Sequence, residues 1–238
     1  MSNQSFGHTQ DKKLIFDIET IGVDFESLDK LSQEYLLRYT ESEEETEELK
    51  EHLGFWPLTG EIVAIGVLNP DTDKGAVYFQ APEEKIDSFE EKEITFETGS
   101  EKEIIEKFWQ TVNSYQQFIS FNGRGFDAPF LMIRSAILEI KPTKNLLSNR
   151  YLSNQPYNVQ HIDLLDQLTF YGAMRRKFNL HFWSKAFGIK SPKEEGISGD
   201  DVKELFKNKK YLEIARYNIG DLLATKELYE RWQKYLSF

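Results

Sequence analysis

A short apolar run that ends in two carboxylates constrains the fold of this chain more than any other stretch. Lys13–Phe16 is rich in strand-forming residues and leads into Asp17 and Glu19, which predicts a buried strand carrying acids at its end. Because side chains alternate along a strand, these two acids face the same side of the sheet. Burying two adjacent carboxylates without compensation is costly, so the pattern favours a divalent cation between them. The alternative is a surface pair, which is common for such a short pattern.

The other apolar patterns predict one α/β domain with a central mixed sheet of about five strands flanked by helices. The first three strands follow one another as a meander, whereas the later strands alternate with helices. Residues 82–99 are polar and are expected to be irregular. We predict strands at 13–16, 61–68, 76–80, 117–121 and 159–165, and helices at 100–115, 127–140, 200–207 and 211–236, with residues 166–187 also belonging to a helical C-terminal third.

Two segments fall outside this pattern. Residues 1–12 are polar and are expected to be flexible, so that residues 13–238 form the single domain. Residues 26–58 combine irregularly spaced leucines with a run of glutamates, which indicates a solvated, helical insertion between the first two strands. Pro57 and Gly60 then interrupt the helical pattern.

Composition excludes several classes of protein. The sequence has no cysteine, so it cannot form a disulfide framework or a thiolate metal site. No apolar run reaches the roughly 18 residues of a membrane span, and the polar N-terminus lacks the apolar core of a signal peptide. We therefore expect a cytoplasmic protein without a membrane partner.

The net charge of −11 is distributed unevenly. Residues 25–110 hold 23 acids and 8 bases, whereas residues 111–193 hold 4 acids and 11 bases. A basic middle region in an acidic chain is a candidate phosphate-facing surface. Ordinary segregation of charge is the alternative, and the counts alone do not decide between them.

Three more polar residues stand at positions where a site could form. Asp127 opens a predicted helix in an apolar setting, where an ordinary helix cap is the simpler interpretation. Tyr217 and Asp221 are four residues apart on the last long helix, so they share one face. A structural hydrogen bond between them is the simpler interpretation when this pair is taken alone.

Taken together, the motifs resemble those of the DEDD exonuclease superfamily, which has the RNase H-like fold. The strand-borne D-x-E motif of that superfamily matches LIFDIET at 14–20, and its aspartate at the start of a later helix matches FNGRGFDAPFL at 121–131. Its C-terminal Y-x-x-x-D motif matches YNIGD at 217–221, and this tyrosine form defines the DEDDy subgroup. The middle motif is similar to one in the proofreading domain of family B DNA polymerases. The chain is most similar to predicted stand-alone 3′–5′ exonucleases related to that domain, over roughly residues 13–236, and residues 26–58 are the least characteristic part.

The resemblance implies a two-metal site for phosphodiester hydrolysis. Asp17, Glu19, Asp127 and Asp221 would hold two Mg²⁺ or Mn²⁺ ions, and Tyr217 would position the attacking water. A free phenol, with a pKa near 10, is a poor base at neutral pH. The implied activity is release of nucleoside 5′-monophosphates from the 3′ end of single-stranded DNA.

Several further residues are candidate substrate contacts. The resemblance places Asn122 against the terminal nucleotide, and Thr20 ends the first motif, where its hydroxyl or amide can reach the 3′ end. Arg124 either pairs with a phosphate or lies in solvent. Arg175–Lys177, with aromatic neighbours, are either contacts to single-stranded nucleic acid or the solvated face of a helix. His161 and His181 are expected to be structural.

Two alternative functions remain open. The same fold could act on RNA or short oligonucleotides, because nothing in the sequence identifies a group that reads the 2′-hydroxyl. A nucleic-acid-binding module with weak or lost catalysis is the second alternative. The presence of all five site residues argues against this second alternative.

Overall fold

A seven-stranded mixed sheet forms the centre of the fold. The structure is a computed structural model, and it describes residues 12–191 and 199–237. The strands are β1 (Lys13–Gly22), β2 (Gly60–Leu68), β3 (Gly75–Phe79), β4 (Phe89–Glu91), β5 (Ile94–Thr98), β6 (Gln117–Ser120) and β7 (Gln160–Asp163). They lie in the order β4-β5-β3-β2-β1-β6-β7, so β1 is a central strand.

Helices cover both faces of this sheet. In the described residues they are α1 (Lys30–Leu36), α2 (Glu43–Glu51), α3 (Glu101–Val112), α4 (Asp127–Ile137), α5 (Leu164–Leu168), α6 (Leu180–Phe187), α7 (Val202–Lys207) and α8 (Tyr211–Tyr235). One apolar core lies between the sheet and α3 and α4. The second lies on the other face, against α5 to α8.

The alternation of β1 assigns its side chains to these two cores. Leu14, Phe16 and Ile18 pack toward α3 and α4, whereas Ile15 packs toward α8. The strand pairs antiparallel with β2 and parallel with β6. The register of β1 against β2 shifts between Glu19 and Thr20, an irregularity of the kind that re-aims side chains next to active sites.

The prediction that residues 82–99 are irregular is wrong, because they contain the hairpin of β4 and β5. Its inner face is apolar: Ile94 and Phe96 are buried, and Phe89 stacks on Phe96 with ring centroids 4.6 Å apart. The turn residues, Lys92 and Glu93, have φ of +51° and +64°. Such a turn normally takes Asn or Gly, so no turn signal marks this hairpin in the sequence.

The aromatic stretch 166–187 is not one helical segment. Helix α5 ends at Leu168, and Phe170 and Tyr171 then adopt left-handed φ values of 50° and 55°, which end the helix. Residues 175–179 are irregular, and α6 begins at Leu180 with Asn179 as its N-cap. The basic cluster Arg175–Lys177 therefore lies on a loop, not on a helix face.

The segment between β1 and β2 is helical, with α1 and α2 joined by short 3-10 turns. The expected flexibility of residues 1–12 concerns a stretch of which only Lys12 is described. Among the described residues, no helix combines the length and the apolar character needed to cross a membrane.

Candidate active site

Strand β1 presents two carboxylates on the face covered by α8. Asp17 and Glu19 both accept hydrogen bonds from the side-chain amide of Asn218, at 2.8 Å and 3.3 Å. Their common partner shows that the two side chains lie on one face, as the alternation predicts. Glu19 is buried and Asp17 is half-buried.

Helix α8 completes a compact acidic group. Its Asp221 reaches the two strand carboxylates, and one oxygen of each of Asp17, Glu19 and Asp221 lies within 4.8 Å of the others. The helix approaches this closely because β2 carries Gly66 opposite Asp17. A Cβ at Gly66 would lie 1.9 Å from Asn218 Oδ1, so any larger residue there would displace the amide.

The fourth predicted carboxylate lies beside this group. Asp127 is the first residue of α4, and its Oδ1 accepts a hydrogen bond of 3.0 Å from the amide of Ile18, between Asp17 and Glu19 on β1. Phe126 occupies the N-cap position of α4, so Asp127 is not the ordinary helix cap that the simpler interpretation suggested. It ties α4 to the strand that carries the first two acids.

Burial and repulsion by neighbouring carboxylates raise the pKa values of Asp17, Glu19 and Asp127. For Asp17 the largest cause is burial, followed by the charges of Asp127, Asp221 and Glu19. For Glu19 burial again leads, followed by the charge of Asp221, and the hydrogen bond from Asn218 opposes the rise in pKa. Burial raises the pKa of Asp127 to about 7, opposed by backbone hydrogen bonds.

The chemistry of this group suits a divalent cation. Among the described residues, no cationic side chain contributes to the pKa of Asp17 or of Glu19. Clustered carboxylate oxygens are the ligands that Mg²⁺ and Mn²⁺ prefer. A bound cation would remove the repulsion that the structure leaves uncompensated.

Tyr217 lies one helical turn before Asp221 and hydrogen-bonds to it. Its burial, and then the charges of Asp221, Glu19 and Asp17, raise the pKa of the phenol above its ordinary value. The hydroxyl therefore keeps its proton at neutral pH, and it acts as a hydrogen-bonding group rather than as a base.

The loop after β6 is held by a residue that sequence reasoning passed over. The buried carboxylate of Asp163 accepts hydrogen bonds from the amides of Asn122 and Arg124, both at 2.9 Å. Asn122 has a φ of +60°, a conformation that asparagine tolerates better than most residues. Asp163 thereby fixes the backbone of the middle motif five residues before Asp127.

Thr20 and Arg124 already have partners within the protein. The Thr20 hydroxyl donates to the carbonyl of Gly54 at 2.7 Å, and Arg124 Nη1 donates to the carbonyl of Leu146 at 3.1 Å. Arg124 also lines a recess of about 270 Å³ together with Asn122, Arg150 and Lys177. Three bases of the predicted basic region therefore meet next to the middle motif.

The two histidines singled out in the sequence make internal contacts. His161 is buried, accepts from or donates to Ser120 Oγ at 2.7 Å, and bonds the carbonyl of Leu146 through Nδ1 at 3.0 Å. Burial lowers its pKa to about 4, so it is neutral. His181 bonds Ser191 Oγ at 2.7 Å.

Asn218 and Gly66 are the site residues that sequence reasoning missed. Asn218 lies inside the Y-x-x-x-D motif, three residues before Asp221, and helical spacing alone places it on the same face. Its Oδ1 is buried without a hydrogen-bond partner among the described residues. Gly66 gives no signal in the sequence, because its importance depends on which helix crosses it.

Comparison with solved structures identifies the fold. A family B DNA polymerase from the hyperthermophilic archaeon Pyrobaculum calidifontis is similar to 94% of this chain, with a TM-score of 0.58 and 17% sequence identity. The chain spans only 24% of that polymerase. At this identity the similarity shows the fold alone, and it confirms the predicted RNase H-like α/β architecture. No curated protein matches the chain.

A family model supplies the evidence on activity. It matches residues 61–237, more than half of the chain, and describes a predicted 3′-5′ exonuclease related to the exonuclease domain of PolB. Exonucleases act on nucleic acid, and those of this type depend on metal ions, for which the acidic group of β1 and α8 offers ligands. The chain therefore belongs to the family of predicted 3′–5′ exonucleases related to the exonuclease domain of PolB.

Proposed function

We propose that this protein removes nucleoside 5′-monophosphates from the 3′ end of single-stranded DNA by hydrolysis that depends on two Mg²⁺ or Mn²⁺ ions. One observation carries the proposal: the oxygens of Asp17, Glu19 and Asp221 lie within 4.8 Å of one another, and no cationic side chain of residues 12–191 and 199–237 acts on the two strand acids. Asp127 would be the fourth ligand, held next to them by the Ile18 amide.

Bound divalent cations would supply Lewis acidity, a nucleophilic water at neutral pH and charge stabilisation for the leaving oxygen. The protein's own part is to hold four carboxylates in place before any ion arrives. Asn218 contributes to this by bridging Asp17 and Glu19, and Asp163 contributes by fixing the loop that leads to Asp127.

Tyr217 would position the attacking water. Its protonated hydroxyl donates to Asp221, which leaves the oxygen lone pairs free to accept a hydrogen bond from a water molecule. The water would then attack phosphorus in line with the 3′ oxygen and release a proton to solvent. The bond from phosphorus to the 3′ oxygen would break, and that oxygen of the shortened strand would take up a proton from solvent.

Asn122, Arg124 and Thr20 remain the proposed substrate contacts. Asn122 belongs to the loop between β6 and α4, five residues before Asp127. Arg124 has one of its five N–H groups bonded to Leu146, and the others suit a phosphate. Thr20 would contact the 3′ end through its backbone amide rather than by donating its hydroxyl proton, because that proton is donated to the carbonyl of Gly54.

The proposal is tested with 5′-labelled single-stranded DNA, duplex DNA and RNA, each incubated with Mg²⁺, Mn²⁺ or EDTA. We expect a ladder of single-stranded DNA shortened from the 3′ end in either metal and no digestion in EDTA. Faster digestion of RNA than of DNA would show that RNA is the preferred substrate. Protection of the DNA without digestion, or digestion that persists in EDTA, would contradict the proposal.

A further inference from the structure

A recess of about 620 Å³ lies between β1, the 3-10 turn His52–Phe55 and α7. Its floor includes Thr20, the residue that follows Glu19 along β1. Helix α7 packs against β1 on the same sheet face as α8, with Val202 in the core on that side. The recess therefore begins one residue along β1 from Glu19, and its volume lies within the range of small-ligand pockets.

The wall of this recess is fixed rigidly to the strand. Strand β1 and the turn contact each other at a pair of glycines. A Cβ at Gly22 would lie 2.8 Å from the Gly54 nitrogen, and a Cβ at Gly54 would lie 2.9 Å from the Gly22 nitrogen. The Thr20 hydroxyl bonds the Gly54 carbonyl at 2.7 Å, and Thr59 bonds the Leu53 carbonyl at 2.8 Å. Only glycine permits this contact, so the turn is held at a set distance from Glu19.

The wall presents an aromatic surface to the recess. His52 and Phe55 are stacked, with ring centroids 4.9 Å apart and planes inclined by 25°, and both line the recess. Phe55 is 48% exposed, so part of its ring is open to a ligand. An exposed ring on a rigid backbone suits stacking of a nucleobase, which is tolerant of base identity.

The charges of the opposite wall are balanced. Helix α7 contributes Lys203, Glu204 and Lys207 to this wall, and Glu51 lines the same recess from the end of α2. Lys203 Nζ also approaches the carbonyl of Lys50 at 3.4 Å. Because these charges nearly cancel, the recess is not a general anion site, and the aromatic surface must provide most of the selectivity.

We propose that the turn His52–Phe55 forms the base-stacking wall of a nucleotide subsite, in which Phe55 holds a nucleobase of the substrate. The wall belongs to the insertion, residues 26–58, outside the matched range 61–237 of the family model. This inference rests on the proposed function, because it identifies the occupant as a nucleotide of the strand being digested. It assigns a role in specificity to the insertion between β1 and β2.

The test compares Phe55→Ala, Phe55→Leu and Phe55→Trp. For each variant, KM and kcat are measured on 5′-labelled single-stranded DNA in Mg²⁺, and the Kd for deoxyadenosine 5′-monophosphate is measured by calorimetry. Phe55→Ala is expected to raise KM and Kd about tenfold, since loss of one stacking contact typically has this effect, with little change in kcat. Phe55→Trp should retain wild-type values.

Two controls separate stacking from structure. Phe55→Leu keeps an apolar side chain but no ring, so it should raise KM and Kd about tenfold, and it tests the loss of stacking even if the alanine variant folds poorly. Tyr35→Ala removes an aromatic ring that is 71% exposed on α1 of the same insertion and should change neither constant.

The possible failures are distinguishable. If wild-type protein digests DNA but Phe55→Leu keeps wild-type KM and Kd, the stacking wall is wrong while the exonuclease remains. An equal effect of Tyr35→Ala would also overturn the assignment to this recess. If wild-type protein digests no nucleic acid, the proposed function fails, and the mononucleotide Kd of the Phe55 variants still reports on the recess.

Discussion

At the scale of single residues, Asn218 determines how the acids of the site are spaced. Its amide donates to Asp17 and Glu19, and its fully buried side chain fits only because Gly66 lies beneath it. Each carboxylate thereby receives a hydrogen bond that favours its charged form. Under the proposed function Asn218 would be a positioning residue, since its hydrogen bonds reach Asp17 and Glu19 and would act on a metal only through them.

We expect Asn218→Leu and Gly66→Ala to have the same effect, although the two residues lie on different elements. Loss of a partner that orients metal ligands typically costs 10- to 100-fold in metal affinity, so Mn²⁺ binding followed by electron paramagnetic resonance should weaken by about that factor in both variants. Asn113→Leu, at the exposed end of α3 on the other sheet face, is the matched control. Wild-type Mn²⁺ affinity in either test variant would remove the positioning role.

Tyr217→Phe tests the phenol at the same scale. The change removes one hydrogen bond to a charged group, so we expect kcat to fall about tenfold or somewhat more, with KM nearly unchanged. Because the phenol stays protonated in the wild type, its alkaline titration should be absent from the rate profile up to about pH 9. A rate that does not change in Tyr217→Phe would exclude the positioning of water by this residue.

Local periodicity predicted which face each of these side chains occupies. The roles of other residues depend on tertiary neighbours and could not be predicted in this way. The two-residue spacing of Asp17 and Glu19 and the four-residue spacing of Tyr217 and Asp221 each place a pair on one face, which the structure reproduces. Gly66 and Asp163 matter because of chain segments distant in sequence, a relation that no local pattern encodes.

At the scale of secondary-structure elements, the hairpin of β4 and β5 shows why a strand pair can escape sequence analysis. Its strands are short and mostly polar on the outer side, and its turn uses Lys92 and Glu93 in left-handed backbone conformations. The alternation of Ile94 and Phe96, the only local signal, covers just three residues.

This hairpin also gives a stability prediction. Replacing Lys92 and Glu93 by Asn and Gly should relieve the left-handed strain and stabilise the protein by about 1 kcal/mol. For a chain of this length the expected rise in Tm is about 2–4 °C, measured by differential scanning calorimetry, with nuclease activity unchanged. A lower Tm would show that the two side chains make contacts that outweigh their backbone strain.

Across the whole fold, bases of the positively charged middle region of the sequence come together at one place. Arg124, Arg150 and Lys177 come from separate parts of the basic region and line one recess beside Asn122. Arg150 is paired there with Asp166 at 2.6 Å. The acidic helix α2, by contrast, belongs to the insertion between β1 and β2.

We therefore expect Lys177 to contribute to binding of the strand through its charge. Lys177→Gln should raise KM at low salt and reduce the slope of log KM against log salt by about 0.7, the value for one phosphate contact on a single strand. Lys85→Gln, an exposed lysine in the acidic part of the chain, should leave the slope unchanged. Equal slopes in wild type and Lys177→Gln would show that the nucleic-acid strand does not contact Lys177.

The proposed exonuclease site depends on the acids of β1 and α8 as metal ligands. The most direct measurement compares digestion of 5′-labelled single-stranded DNA in Mg²⁺ by wild type, Asp17→Asn and Asp221→Asn, with Tm recorded in EDTA and in Mg²⁺. Both variants should lose activity about a thousandfold, since a metal ligand supports several kcal/mol of transition-state stabilisation.

Removing a charge from the crowded acidic group should leave Tm in EDTA equal to or higher than that of the wild type, while the stabilisation by Mg²⁺ shrinks. This combination would show that the fold survives and that only the site is lost. Wild-type-like digestion by either folded variant would show that these carboxylates do not form the exonuclease site.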